Sequence, residues 1–490
     1  MGAAYDSEER NPAPRCLNGT RTEALEGIET WVKAGGEGKS ILWLHGPAGA
    51  GKSAIAQTVA ETCAERNQLA ATFFFARTVA GRNSIRHLFP TIAVQVALST
   101  PEKRRRLDKI LKDEPYIAER AWGSVDLVAS LFKGCAQTNA SPLTVIIDGL
   151  DECQGHKDQG RILTEVYRLV GTHRVPLRFV IVSRPESHLC DAFEEPSMAT
   201  NTEILSLYDD FGARVDVSSY LRSEFSRIHK SKMHKYVMQF VPAPWPSNDV
   251  IKKLVRKSGG YFIYASTVVQ FVDEEGFSPA ERLVQVLNSS NSSISPSDSA
   301  PFAELNKLYL RILSSCPGSK LSTLKHILGY ILVPSLSRAT WIWKIDLDIN
   351  VIETFLRIPR GEVKLILRGL RSLVSFGDSI EDVKLPRIHH ASFRDFLLDK
   401  EHSKDYYVDT EEWWYTAFCD AFSLACKVLG LFVDPGGDSA SRHQKGLLIT
   451  FILFVIIRTK GDKSASRTRP LARGRRNSIP VSIHWGMLTS

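Results

Sequence analysis

The octapeptide GPAGAGKS, Gly46 to Ser53, restricts what this 490-residue chain can fold into more than any other feature. It fits G-x-x-x-x-G-K-[ST] and lies between an apolar run, ILWLH, and a helical stretch, AIAQTVAE. A glycine-rich turn joining a buried strand to a helix lets backbone N–H groups turn inward around phosphates, while the helix presents its positive N-terminal end. Lys52 is then placed to neutralise β- and γ-oxygens, and the Ser53 hydroxyl to ligate magnesium. The expected nucleotide-contacting residues are Gly46, Pro47, Ala48, Gly49, Ala50, Gly51, Lys52 and Ser53, with Lys52 also in a catalytic role.

The surrounding pattern agrees with such a loop. From about Glu23 to Ser206, short apolar runs (SILWLHG, ATFFFA, LTVIIDGL, LRFVIVS) alternate with amphipathic stretches (AIAQTVAETCAE, IRHLFPTIAVQVAL, ILTEVYRLV), which predicts a parallel α/β sheet. Helical spacing follows in VSSYLRSEFSRI, DVIKKLVRKS, GYFIYASTVVQFV and AERLVQVL. Ser289 to Pro301 is Ser/Pro-rich and reads as a linker. Beyond it, PFAELNKLYLRIL, KLSTLKHILGYIL, VIETFLR and GEVKLILRGLRSLV read as helices, with a small hairpin (LVSF, DVKLPRIH) before HHASFRDFLL, a winged-helix pattern. The expected fold class is α/β: a P-loop NTPase parallel sheet with helices on both faces, then a helical subdomain and a winged-helix-like domain. The divisions expected are an N-terminal segment 1–22, the nucleotide-binding domain 23–206, the helical subdomain 207–288, the linker 289–301, the winged-helix-like domain 302–400 and a divergent tail 401–490.

Composition narrows the function classes. The hydrophobic and charged fractions, 43% and 24%, are those of ordinary globular proteins, and the length predicts two to four domains. The net charge of +8 resides mostly between Arg458 and Arg476, where eight Lys or Arg face Asp462 alone, so it argues against a nucleic-acid surface on the folded part. The eight cysteines are scattered without a C-x-x-C pair, which points to reduced thiols rather than a zinc or redox site. MGAAYDSEER has no apolar stretch, and Asp6 stands where a myristoylation motif wants Ser or Thr; a cytoplasmic location is expected. GLLITFILFVII, Gly446 to Ile457, is too short to span a bilayer, leaving a buried element, a membrane-interface contact next to the arginines, or a poorly folding tail.

Two further strand ends carry chemistry. LTVIIDGLDEC ends a buried strand at Asp148, a Walker B pattern in which the carboxylate holds magnesium because its strand is expected to lie beside the one feeding the P-loop. The position after it is Gly149, so a water-activating base falls to Asp151 or Glu152, either of which could instead be a solvated turn carboxylate. LRFVIVS ends at Arg184, placed to reach a γ-phosphate or else to be solvated on its loop.

GPAGAGKS, IIDGLDEC and IVSRPE, in this order, resemble the NACHT family of STAND-class P-loop ATPases, relatives of NOD-like receptors. CLNGTR, LRSEF, KSGGYFIYAS and HHASFRDFLL are similar to stretches of basidiomycete fungal NACHT proteins, and the resemblance covers about Cys16 to Lys400. It implies a closed ADP form, an open ATP form that oligomerises, and slow hydrolysis that resets the switch. It also implies that Asp148 is the magnesium carboxylate with Ser53, that Asp151 and Glu152 are the acidic pair, that Arg184 is sensor 1, and that Gly149 is a family trait. Two positions depart from the family. Gly260 is followed by Tyr261 and Phe262 rather than a Gly-x-Pro, and Ala391 replaces the aspartate after the histidine of an MHD-like motif, in which His390 would touch the β-phosphate of ADP, with His389 as its competitor.

The main expectation is a signalling switch using ATP or ADP (GTP is not excluded) with Mg2+, linked through the resemblance to fungal non-self recognition, innate immunity and programmed cell death. The expected partners are nucleotide, further copies of the chain, and an effector or sensor protein that the sequence does not name. The alternative is a DNA-linked ATPase of the origin-recognition type, also a P-loop module followed by a winged helix; Gly149 speaks against it, since that Walker B reads Asp-Glu. A small-molecule kinase fits least, for want of an acceptor-binding domain.

Overall fold

The computed structural model describes residues 2–413 except 35–37, 78, 80, 118–122, 133–141, 208–211, 289–301, 333–347, 377–384 and 411. The Ser/Pro-rich linker and the apolar and basic stretches of the tail lie outside the described residues.

Strands Ile41–His45 (β1), Leu69–Phe74 (β2), Leu143–Asp148 (β3), Leu177–Ser183 (β4) and Thr202–Ser206 (β5) form one parallel sheet in the order β2-β3-β4-β1-β5. Helix Thr22–Lys33 (α1) precedes the sheet; parallel neighbours need crossovers, and these are supplied by Lys52–Glu65 (α2), Ile85–Leu98 (α3), Pro101–Asp113 (α4), Gly123–Ser130 (α5), His156–Tyr167 (α6), Ser187–Glu194 (α7) and Pro196–Ala199 (α8). Alternation along the strands sends side chains into two cores. Ile41, Trp43, Val145, Ile147, Phe179 and Ile181 pack with Leu88 and Phe89 of α3, Ile162 of α6 and Leu189 of α7. Leu42, Leu44, Ile146, Val180 and Val182 pack on the other face with Ile28 of α1 and Ile55 and Val59 of α2. The fold is therefore the expected α/β one, with helices on both faces.

Two features of the sheet differ from the sequence reading. The Walker B strand β3 does not lie beside β1; β4 is inserted between them. Strand β5 was not anticipated, because at the sheet edge only Thr202 of its five residues is buried and no apolar run marks it.

The chain continues through Ala213–Lys230 (α9), Lys235–Met238 (α10), Asn248–Ser258 (α11), Phe262–Val272 (α12) and Pro279–Asn288 (α13). Then come Ala303–Leu313 (α14), Leu321–Leu332 (α15), Ile349–Leu356 (α16) and Glu362–Leu367 (α17). A two-stranded antiparallel hairpin, Val374–Ser375 (β6) with Arg387–Ile388 (β7), precedes Ala391–Leu397 (α18) and Lys400–Ser403 (α19). These are the short helices and hairpin of a winged-helix-like arrangement. No helix among the described residues is long and apolar enough to cross a membrane.

Candidate nucleotide site

Strand register brings the predicted residues together. His45 at the end of β1 pairs with Ser183 of β4, and Asp148 at the end of β3 pairs with Val182. The P-loop, Asp148 and Arg184 therefore leave the sheet at one level, along the carboxyl edge where open α/β sheets hold ligands. The inserted β4 sets β3 two strand spacings from β1, about 10 Å, so Asp148 faces the P-loop across Arg184's strand.

Helix α2 begins at Lys52, whose Nζ donates to the carbonyls of Gly46 (2.9 Å) and Pro47 (2.8 Å). Burial lowers the Lys52 ammonium to about 8, against the opposing pull of Asp151. Gly49 has φ +74°, and a Cβ there would lie 2.1 Å from Cγ2 of Ile263. Ile263 N also donates to the Gly49 carbonyl at 3.2 Å, so the start of α12 is seated on the loop. Phe262, two residues after Gly260, lies beneath the Arg21 guanidinium (5.0 Å to the ring centroid) and edge-on to Tyr220 (5.9 Å).

Asp148 is buried; burial raises its pKa and the nearby Ser53 hydroxyl opposes the rise. Gly149 follows with φ +72°, in the left-handed region that side chains avoid, and this turn starts a single 3-10 turn over Leu150–Glu152. Asp151 is thereby buried against Arg184: its Oδ1 accepts from Arg184 N at 3.0 Å and its Oδ2 lies 3.3 Å from Arg184 Nε. Arg184 Nη1 donates to Asp395 of α18 at 2.8 Å. Burial works to lower the guanidinium pKa, but Asp395 and Asp151 outweigh it and hold it above its ordinary value. Arg184 is thus paired rather than solvated on its loop.

Glu152 differs from Asp151. Its Oε2 accepts only a backbone N–H from Arg77, at 3.1 Å among the side-chain bonds described, and burial followed by repulsion from Asp151 pushes it up to about 7. A carboxylate poised there suits a general base better than one clamped by an arginine.

His390 is the N-cap residue of α18. Its Nδ1 accepts the Ser392 backbone N–H at 3.1 Å and lies 2.6 Å from the Ser392 hydroxyl, which is itself 2.8 Å from Tyr309 Oη. An Nδ1 that accepts a backbone N–H places the ring proton on Nε2. Burial, then Arg184 and Lys52, lower the imidazole to about 3, which puts it within the field of the P-loop lysine. His389 instead turns to the Arg371 carbonyl at 2.9 Å and is exposed.

Four residues of the site were not singled out from the sequence. Arg21 Nη2 donates to the Ala50 carbonyl at 2.7 Å and its backbone N–H to Asp216 of α9 at 2.9 Å. Arg10 lies 3.4 Å over the Phe74 ring, donates to Gln57 at 2.6 Å, and is one of the charges that favour ionised Asp148. Arg77 donates to the Asp151 carbonyl at 2.6 Å, and Asp395 holds Arg184. Asp395, within HHASFRDFLL, and Arg21, at the end of CLNGTR, lay in stretches that carried a signal; Arg10 and Arg77 depend on long-range packing.

The oxygen donors fit a magnesium nucleotide. The Ser53 hydroxyl and Asp148 carboxylate are near enough to influence each other, hard ligands of the kind magnesium takes, with Lys52 beside them. Strand order, loop and strand-end carboxylate now stand together. This is a P-loop NTPase fold. Within it, residues 19–184, from the turn before α1 to Arg184, match the family model described as Nephrocystin 3, N-terminal. No curated protein matches the chain. Among solved structures, the P-loop NTPase is similar to a STAND protein with a tetratricopeptide repeat sensor from Pyrococcus horikoshii, at 12% identity and a TM-score of 0.42, over 85% of this chain and 50% of that one. It therefore spans about half the length of that relative. It is also similar to Drosophila ORC bound to DNA (12% identity, TM-score 0.37, 87% and 98% of the two chains). A third likeness is to the Aeropyrum pernix ORC1 protein in complex with DNA (11%, 0.33, 79% and 91%). At these scores the likenesses carry no argument about function.

Proposed function

We propose that this protein is a nucleotide-operated switch of the STAND type, which binds ATP or ADP with magnesium, hydrolyses ATP slowly and self-associates in the triphosphate state. The observation that supports it most is the position of Arg184, which joins Asp151, at the phosphate edge of the sheet, to Asp395 of the C-terminal half. A guanidinium has a limited set of donors in a planar fork, so a new anion at the sheet edge competes with the carboxylates it holds. When bound, Mg2+ and the triphosphate supply a hard cation and the γ-oxygens that this fork can reach.

The roles of the chain's own residues follow from their surroundings. The P-loop from Gly46 to Ser53 cradles phosphate, and Lys52 exchanges its two carbonyl partners for phosphate oxygens. Ser53 and Asp148 hold the cation. Glu152 accepts the proton of the attacking water, and Asp151 keeps Arg184 aimed. His390, neutral with its proton on Nε2, donates to the diphosphate in the closed form. Differential affinity of the two nucleotides for the closed and open arrangements then moves the equilibrium between them. The match to the Nephrocystin 3 N-terminal model supports the reading over residues 19–184. The NACHT resemblance extends the proposal to fungal non-self recognition or programmed cell death.

The test is the nucleotide that co-purifies, compared between wild type and Lys52→Ala, with light scattering after exchange into ADP or a non-hydrolysable ATP analogue. Near-stoichiometric ADP that the variant loses, with assembly only in the triphosphate analogue, is expected. A monomer in every nucleotide overturns the switch. Salt-dependent DNA binding that survives removal of residues after Ile457 would favour the origin-recognition alternative.

A further inference from the structure

Directly behind the acidic turn and the Arg184 loop, three side chains converge that the nucleotide site does not use. His156 is the first residue of α6, Glu186 the N-cap residue of α7, and His188 the second residue of α7. One ligating atom from each lies within 4.8 Å of the others. The two imidazoles are stacked, with centroids 4.1 Å apart and planes 9° from parallel, and Glu186 Oε2 is 3.8 Å from His188 Nδ1.

The hydrogen bonds fix the tautomer of His188. Gln159 is buried, and its Nε2 donates to the carbonyls of Cys153 (2.7 Å) and Asp151 (3.2 Å). Its Oε1 must then be the acceptor in the 2.6 Å contact with His188 Nε2, so that nitrogen carries the proton. In the neutral ring His188 Nδ1 then carries the lone pair, 3.8 Å from Glu186 Oε2. A lone pair near a carboxylate oxygen, beside a second imidazole, is an arrangement that a shared cation stabilises. An imidazole whose far N–H is anchored by a carbonyl oxygen is also the usual second shell of a metal-bound histidine.

We propose that His156, Glu186 and His188 bind a divalent transition-metal ion, of the zinc class, which ties the loop after β3 to the loop after β4. Two imidazole nitrogens and one carboxylate suit zinc and disfavour magnesium, which takes oxygen donors. Ligand bonds of about 2.0–2.2 Å require the three atoms to draw together, and His156 to leave the stack so that the ion lies in its ring plane. His156 is exposed, so its ring has solvent to turn into once it leaves the stack on His188. Helices α6 and α7 already pack against each other, which holds the three ligands in one neighbourhood. The site is linked to the acidic turn through His188, Gln159 and the Asp151 carbonyl, so metal loading stiffens the segment carrying Asp151 and Glu152. The inference stands independently of whether the chain hydrolyses ATP.

The experiment is a Co2+ titration of the full chain, stripped with chelator and then dialysed into excess Mg2+ to satisfy the Ser53 and Asp148 site. One equivalent should bind with visible d–d absorption, without the near-ultraviolet charge transfer of thiolate ligation, and Zn2+ should displace it. His156→Gln, on an exposed side chain, and His188→Gln should each weaken binding on the order of tenfold or more, while His87→Gln should not. Melting curves of the apo proteins verify that the variants fold. Absence of a saturable equivalent, thiolate charge transfer, or affinity unchanged in His156→Gln overturns the proposal.

Discussion

Arg184 and Asp395, 211 residues apart in sequence, are joined by a hydrogen-bonded ion pair of 2.8 Å. The same guanidinium contacts Asp151, so the strand end beside the P-loop is held to helix α18 through one side chain. The pair is partly open to water, with the two side chains 25% and 41% exposed, so its worth is that of a screened pair, about 1 kcal/mol. On the proposed switch, Asp395→Asn should therefore shift the balance of closed and open forms about fivefold towards the open one. Faster release of a fluorescent ADP analogue would register this; an unchanged rate would show that the pair does not restrain the closed form.

Lys52 provides a proton-linkage signature. Burial holds it at about 8, below its ordinary value, and phosphate oxygens in its place of contact raise it. In Glu152→Gln, which removes that carboxyl's own proton release, nucleotide binding at pH 8 should then take up about half a proton per site, falling towards none near pH 6.5, where the amine is already charged. Calorimetry in buffers of different ionisation enthalpy measures this, and Lys52→Ala should abolish both the uptake and the retained nucleotide.

For Glu152 and Asp151 the expected outcomes differ. With Glu152 at about 7, turnover should rise with pH as its carboxyl loses a proton, and bound Mg2+ should move that limb downward. Glu152→Gln should slow hydrolysis by roughly 10²–10⁴-fold with nucleotide affinity nearly unchanged. Asp151→Asn, which loosens Arg184, should instead alter nucleotide discrimination as well as rate. Identical kinetics in both variants would remove the distinction between base and positioning residue.

The stability of the raised Glu152 runs the other way. Because its folded pKa exceeds its unfolded one, its contribution is fully present below the unfolded value and is lost as pH climbs to about 7. Glu152→Gln should accordingly flatten the fall in melting temperature across that interval, in protein freed of nucleotide.

Gly149→Ala tests the turn itself. At φ +72° an added Cβ meets only ordinary contacts with Phe75 at 3.5 Å, so the cost is backbone strain, about 1–2 kcal/mol. A lower melting temperature should accompany displacement of Asp151 from Arg184. An unchanged melting temperature would show that the turn tolerates a side chain.

The strand, loop and helix around GPAGAGKS, the strand ending at Asp148 and the strand leading into Arg184 could all be read from the sequence, because each is a local pattern of period and composition. So could the hairpin before HHASFRDFLL, and His390 at its strand-to-helix turn. The order of the strands could not: crossovers and packing on both faces put β4 between β1 and β3, and no periodicity within a strand encodes its neighbour. The same holds for Arg10 and Arg21, whose partners Gln57, Phe74, Ala50 and Asp216 lie far along the chain, and for Asp395 on Arg184. Sequence alone determined which side chains stand on the glycine-rich loop and at the strand ends, since that depends on residue type and local pattern. Only tertiary structure decided which charges face them, since that depends on elements brought together by burial of their apolar faces.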